Sequence, residues 1–166
     1  MKKSIATYVT DGYGQVEPNH LSGQRTAQIY AQLAAESTID VLENGQFVKY
    51  DYAKNQVNFT GDGEWMLVFN EVKIYDERET NKDYAMTKAS QVGGLIVPRV
   101  LKTNVGDIYT TNFVDGSDFE EGDKLSIAGK GIPTKGEEVT EGMIWQVAKV
   151  YTLADGQPAV KIMRIQ

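Results

Sequence analysis

The sequence predicts a mainly β fold, a β-barrel or β-sandwich-like domain with an extended N-terminal arm and little helix. Three observations carry that prediction. Residues 63–75 (GEWMLVFNEVKIY) begin with five apolar positions in a row, Trp65 to Phe69. They then alternate, with Asn70, Val72 and Ile74 on one face and Glu71, Lys73 and Tyr75 on the other. Period two marks a strand, and Glu71 and Lys73 would interrupt any helical stripe. Elsewhere short apolar stretches are separated by turn pairs: Asn44-Gly45, Asp115-Gly116, Glu121-Gly122 and Asp155-Gly156. Finally, residues 143–153 (MIWQVAKVYTL) form a second long strand-like stretch. Residues 63–75 are expected to be the central strand, covered on both faces in the first half and running toward an edge in the second.

The elements follow in order. Residues 4–10 (SIATYVT) alternate as a strand, with Ile5, Thr7 and Val9 on one face, until Asp11-Gly12 and Gly14 break the pattern. Residues 15–24 hold Pro18, Asn19, the single histidine and Gly23, a composition suited to an extended loop or arm. Residues 26–35 read as an irregular or short helical arm, with Ser22 as a cap and Ile29, Tyr30 and Leu33 on one side. A strand alternating Ala27, Ile29, Ala31 and Leu33 is the other reading. From Ile39 the pattern is β: Asn44-Gly45 predicts a hairpin turn, residues 46–52 a strand, residues 53–55 a turn, and Val57 and Phe59 its return. Residues 76–83 (DERETNKD) are a polar loop, and residues 84–91 leave room for one short piece. Leu95-Ile96-Val97 stops at Pro98, which bars a central strand. Residues 100–111 have β character around a turn at Asn104 and Gly106, residues 124–127 form a short strand, and Asp155-Gly156 turns the second long strand back into residues 159–165. Trp65 and Trp145 are both expected to be largely buried. The division is residues 1–35 as arm and 36–166 as β domain.

Composition narrows the chemistry. The 166 residues contain 41% hydrophobic side chains, enough for a core in a chain that buries roughly 70% of its unfolded surface. The absence of cysteine removes disulfides, thiol catalysis and thiolate metal sites. A net charge of −6 with scattered Lys and Arg has the wrong sign for a phosphate-backbone binder. No apolar run approaches the roughly 20 residues of a membrane span, and residues 4–10 are too short and polar for a signal-peptide core. The chain is therefore expected to be soluble, made in the cytoplasm, and without nucleic-acid or membrane partners.

No stretch announces a reaction. His20 stands alone in a polar loop, without a G-x-S-x-G nucleophile or a positioned partner. Residues 115–123 (DGSDFEEGD) are acidic, but Phe119 sits where a calcium loop needs an oxygen ligand, so a solvated turn is the better reading. Residues 129–136 (GKGIPTKG) lack the Gly-Lys-Ser/Thr of a phosphate cradle, and Glu137-Glu138 would repel an anion there. Trp65, Trp145, Phe47, Tyr50, Tyr52, Phe59 and Tyr109 read first as packing on strands and second as a sugar-binding or interface set. Glu64, Glu71 and Asp76 are separated carboxylates that a glycosidase would need to bring into one cleft. The expectation is no enzyme, no catalytic residue, no metal and no cofactor.

Residues 42–52 (LENGQFVKYDY), 63–77 (GEWMLVFNEVKIYDE) and 98–112 (PRVLKTNVGDIYTTN), with the opening 4–14 (SIATYVTDGYG), resemble small virion proteins of tailed bacteriophages that decorate or cement the head. The resemblance implies a β-rich domain on the capsid exterior, bound to the major capsid protein as a homo-oligomer and assembled in the host cytoplasm. A tail or baseplate structural protein is the alternative, and a carbohydrate-active β domain the next. Residues 1–35 have few large apolar side chains and suit lying along another chain. Tyr8, Tyr13, His20, Leu21, Arg25 and Tyr30 are the expected partner contacts, and deleting residues 1–24 is expected to leave the melting temperature nearly unchanged.

Overall fold

The computed structural model describes residues 4–10, 12–25, 33–70, 86–87, 91–136 and 141–166. Their architecture is mainly β, built from antiparallel sheets stacked as a sandwich-like arrangement rather than a closed barrel. The strands are β1 (Val16–His20), β2 (Val41–Leu42), β3 (Phe47–Asp51), β4 (Gln56–Asn58), β5 (Met66–Val68), β6 (Met86–Thr87), β7 (Val100–Leu101), β8 (Ile108–Thr111), β9 (Lys124–Ala128), β10 (Ile132–Lys135), β11 (Ile144–Thr152) and β12 (Pro158–Arg164). A single-turn helix, α1 (Ser22–Arg25), follows β1. The large sheet runs β1-β8-β12-β11-β9-β10, the second runs β4-β3-β5-β7, and β2 pairs with β6 alone.

The four-stranded sheet explains the apolar run that opens residues 63–75. Side chains alternate across a strand, so Leu67 joins Phe47 and Leu101 in one core with the large sheet. Met66 and Val68 join Val48 and Val100 in a second core, under Ile39, Leu42 and Ile96. Both faces are covered, as the sequence predicts, and Met66, Leu67 and Val68 are all fully buried. The strand itself is only three residues long, and residues 71–75, where alternation is predicted, lie outside the described set.

In the large sheet, β11 and β12 form the long hairpin that Asp155-Gly156 predicts. Trp145 opposes Arg164 at one end and Thr152 opposes Pro158 at the other, with a bulge between Val147 and Lys149. Gly156 takes φ 86, a left-handed position glycine occupies at little cost. Trp145 is completely buried and meets Tyr109 edge-on at 5.1 Å and Phe47 at 5.8 Å, tying β11 to β8 and to the other sheet.

Four predicted elements differ from the structure. Residues 4–10 alternate yet form bends and turns, because their hydrogen bonds go to distant side chains instead of a ladder. Residues 16–20 form an edge strand where only an extended loop is predicted: Val16 pairs with Thr111 and His20 with Ile108. Asn44-Gly45 is a turn but not a hairpin, since β2 pairs with β6 and β3 with β4 and β5. It is a corner between sheets, with Gly45 N–H donating to Val68 O at 3.0 Å and Asn70 N–H to Asn44 Oδ1 at 2.7 Å. Trp65, one residue before β5, is only half-buried.

Candidate functional site

The N-terminal segment carries the predicted partner contacts, and its described part is bound to its own domain. Few apolar anchors hold it, chiefly Ala6 and Leu21; Leu21 is 2% exposed and belongs to the core beneath the large sheet. Leu21, one of the expected partner contacts, is packed into the domain's own core. Tyr8 is half-buried, its ring edge-on to Phe119 at 5.0 Å, and its burial raises the phenol pKa. Tyr13 is also half-buried, while His20 is exposed at the end of β1. The Arg25 side chain and all of Tyr30 lie outside the described set.

Polar side chains of the domain do the rest of the holding. Glu43, 3% exposed, accepts hydrogen bonds from Gly14 N–H at 2.7 Å, Ser4 Oγ at 3.0 Å and Ile5 N–H at 3.4 Å. Asn112 Oδ1 accepts Gln15 N–H at 2.6 Å, and its amide donates to Tyr13 O at 3.2 Å. Asp107, also buried, accepts both Ser22 N–H and Ser22 Oγ at 2.9 Å. Buried carboxylates with several donors make stronger bonds than neutral pairs. A segment held this way contributes to stability, against the expectation that its loss is neutral.

The second feature is a cleft of about 470 Å³ where the two large sheets meet. Strand β3 contributes Lys49, the residues before β5 contribute Glu64 and Trp65, and the large sheet contributes Ser126, Ile127, Met143 and Arg164. Trp65, Ile127 and Met143 form its apolar part, each resting on the main core while staying partly open. Lys49 Nζ lies 4.8 Å from the centre of the Trp65 ring, within cation–π range. Glu64 pairs with Lys102 at 2.7 Å. Arg164 donates through Nη1 to Thr103 O and through Nε to Gln166 O at 3.0 Å, so its plane is fixed. Glu141 completes a rim of mixed charge. Of the three separated carboxylates named from sequence, Glu64 lies here, and Glu71 and Asp76 are outside the described set.

Residues 115–123 form a packed turn. Phe119 is buried, Asp115 Oδ1 accepts Thr7 Oγ1 at 2.8 Å, and Asp123 meets Lys135 Nζ at 2.7 Å. The hydrogen bond from Lys135, with a second from Glu120 N–H, holds the Asp123 carboxyl below the usual carboxylate range. A lowered folded-state pKa gives stability that is present above the unfolded pKa and lost as pH falls through the folded one. Asp123→Asn is expected to cost under about 1 kcal/mol at neutral pH, as surface pairs do. That difference should vanish in urea melts taken below the carboxylate range, and a difference unchanged there would refute the ion pair's role. Residues 129–136 make the β9–β10 turn and β10. Among the described residues no three His, Asp or Glu converge as a metal-binding group, and no helix is long and apolar enough to cross a membrane.

Comparisons of the chain with protein families, with curated proteins and with solved structures found no match.

Proposed function

We propose that this chain is a non-catalytic structural protein of a tailed-phage virion, of the head-decoration type, which binds the major capsid protein and reinforces the shell. The observation that supports this most is the outer strand of the large sheet. Strand β1 ends the strand order beyond β8, and its side chains from Glu17 to His20 are exposed. The other end is covered: Asp115 bridges Thr134 of β10, with Asp115 N–H on Pro133 O at 2.9 Å. Among the described residues no strand pairs with the outer side of β1, and such an edge offers backbone groups for a strand from a neighbouring chain to extend the sheet. Pro18 and Glu17 within β1 limit indiscriminate pairing, a common property of edges that are not meant to aggregate. The resemblance of residues 42–52, 63–77 and 98–112 to decoration proteins gives the neighbour its identity: capsid protein, or a sister copy on the shell.

The test is direct. Purified particles analysed by mass spectrometry are expected to contain the chain at copy numbers comparable to the capsid protein, and labelled protein should bind shells lacking it, saturably. Particles without the chain, or label confined to the tail, would overturn the head assignment.

A further inference from the structure

We infer that the cleft between the two large sheets is a carbohydrate-binding site, taking a neutral hexose-type unit against Trp65. Its apolar part is an indole flanked by Ile127 and Met143. A pyranose ring has an apolar C–H face that matches an aromatic plane, and half-open tryptophan provides a large rigid surface at little entropic cost. The volume, about 470 Å³, falls within the roughly 300–1,000 Å³ range of small-ligand sites.

Charge decides the ligand class. Lys49 and Arg164 stand opposite in sign to Glu64 and Glu141, so the rim carries two of each. An anion would face two carboxylates, and a cation would face an ammonium and a guanidinium. Glu64 is paired with Lys102, and the Arg164 guanidinium, still charged, is already hydrogen-bonded to the Thr103 and Gln166 oxygens. The rim is therefore a mixture of donors and acceptors in which both signs of charge are interleaved. Hydroxyl groups need both at once, which Ser126, the carboxylates and the cations together supply. Lys49 holds the place of the ligand: its ammonium sits 4.8 Å from the indole centre. A sugar entering with its C–H face toward Trp65 displaces that ammonium to the side, where it donates to ring hydroxyls.

The two tryptophans make the test selective, since Trp145 is fully buried and Trp65 is not. The full chain, labelled with ¹⁵N, would be titrated with maltotriose, cellotriose and chitotriose, with trigalacturonate and glucosamine trimer as charged controls. The two indole N–H signals are assigned by comparison with Trp65→Phe. The Trp65 signal is expected to move saturably with at least one neutral trisaccharide, with Kd of about 1 mM, while the Trp145 signal stays in place. Trp65→Ala should weaken binding about tenfold or more, the loss of one aromatic contact surface. An unmoved Trp145 signal in that variant reports that the core is intact. If Trp65→Ala does not fold, Lys49→Ala gives the second reading, with altered affinity and the same apolar floor. The proposal is overturned if none of the three neutral sugars moves the Trp65 signal. It is equally overturned if a charged control binds more tightly than all three, or if both tryptophan signals move alike. These results leave attachment to a shell untouched, so the two readings fail separately.

Discussion

Gly131→Ala is expected to destabilise the fold by more than about 4 kcal/mol, in the exceptional tail for a single methyl group. Gly131 has φ +74, and a Cβ built there would lie 1.7 Å from Phe47 O and 2.7 Å from Phe47 C. These are backbone atoms, so no rotamer change relieves the clash. The same residue accepts the Phe47 N–H at 2.7 Å, and Gln46 Nε2 donates to Lys130 O at 2.7 Å. The turn between β9 and β10 thus rests on the first residue of β3 and fixes the large sheet against the four-stranded one. Phe47 is fully buried in the shared core, so displacing it also disturbs Trp145. Gly129 is the control: it has φ +49 and nothing within 4 Å of its virtual Cβ. Gly129→Ala should cost only the left-handed backbone penalty of about 1–2 kcal/mol. Urea denaturation of the two variants separates contact from conformation; equal losses would show that the Gly131–Phe47 contact is not close.

Deleting residues 1–24 is expected to lower stability by at least about 5 kcal/mol, a large part of the 5–15 kcal/mol that domains have. Truncating a buried leucine to alanine costs about 2–5 kcal/mol, and Leu21 would be lost entirely. The deletion also strips β8 of β1, one of its two neighbours, and leaves Glu43 and Asp107 buried without their N-terminal donors. A buried charged group deprived of its partners costs more than a neutral one. The melting temperature should fall by roughly 10–20 °C, if the protein folds at all. A truncated chain melting within a few degrees of the whole one would restore the free-arm reading. Glu43→Gln provides a gentler version, keeping the shape while removing the charge, and should cost a fraction of the deletion.

Local pattern made part of this fold legible. Alternation plus Asp155-Gly156 defines the β11–β12 hairpin, because both strands and their turn are contiguous and carry their own signals. The two-sided burial of Met66, Leu67 and Val68 was legible for the same reason. Strand β1 was not: Val-Glu-Pro-Asn-His has one large aliphatic residue and a proline, and it is a strand only because β8 offers a partner about 90 residues away. Residues 4–10 fail in the opposite direction. Their alternation is real, but Ser4, Ile5 and Thr10 satisfy their polar groups on Glu43 and Gln157, contacts that no local pattern encodes. The cleft is less legible still. Trp65 reads as core because apolar neighbours follow it, and its open side exists only where Ser126, Met143 and Arg164 arrive from the other sheet.

The order of strands in the large sheet sets a schedule for biosynthesis. Thr111 of β8 pairs with Val16 on one side and with Val160 on the other, so the middle of the chain is clasped by an early strand and a late one. At about 5–20 residues per second, the ribosome reaches β12 roughly 7–30 s after β1. For the last part of that interval, roughly 2–10 s, β8 has been made while its β12 edge is still unpaired, and β1 has no complete sheet to join. Non-local pairing of this kind pays loop-closure entropy before contacts compensate it and slows folding. The large sheet therefore closes after translation of β12, whereas β3, β4 and β5, joined by short connections, can assemble on the nascent chain. A transient free β8 edge is where chains emerging together from one polysome would cross-pair, and raising expression rate should increase aggregation more than raising temperature modestly does.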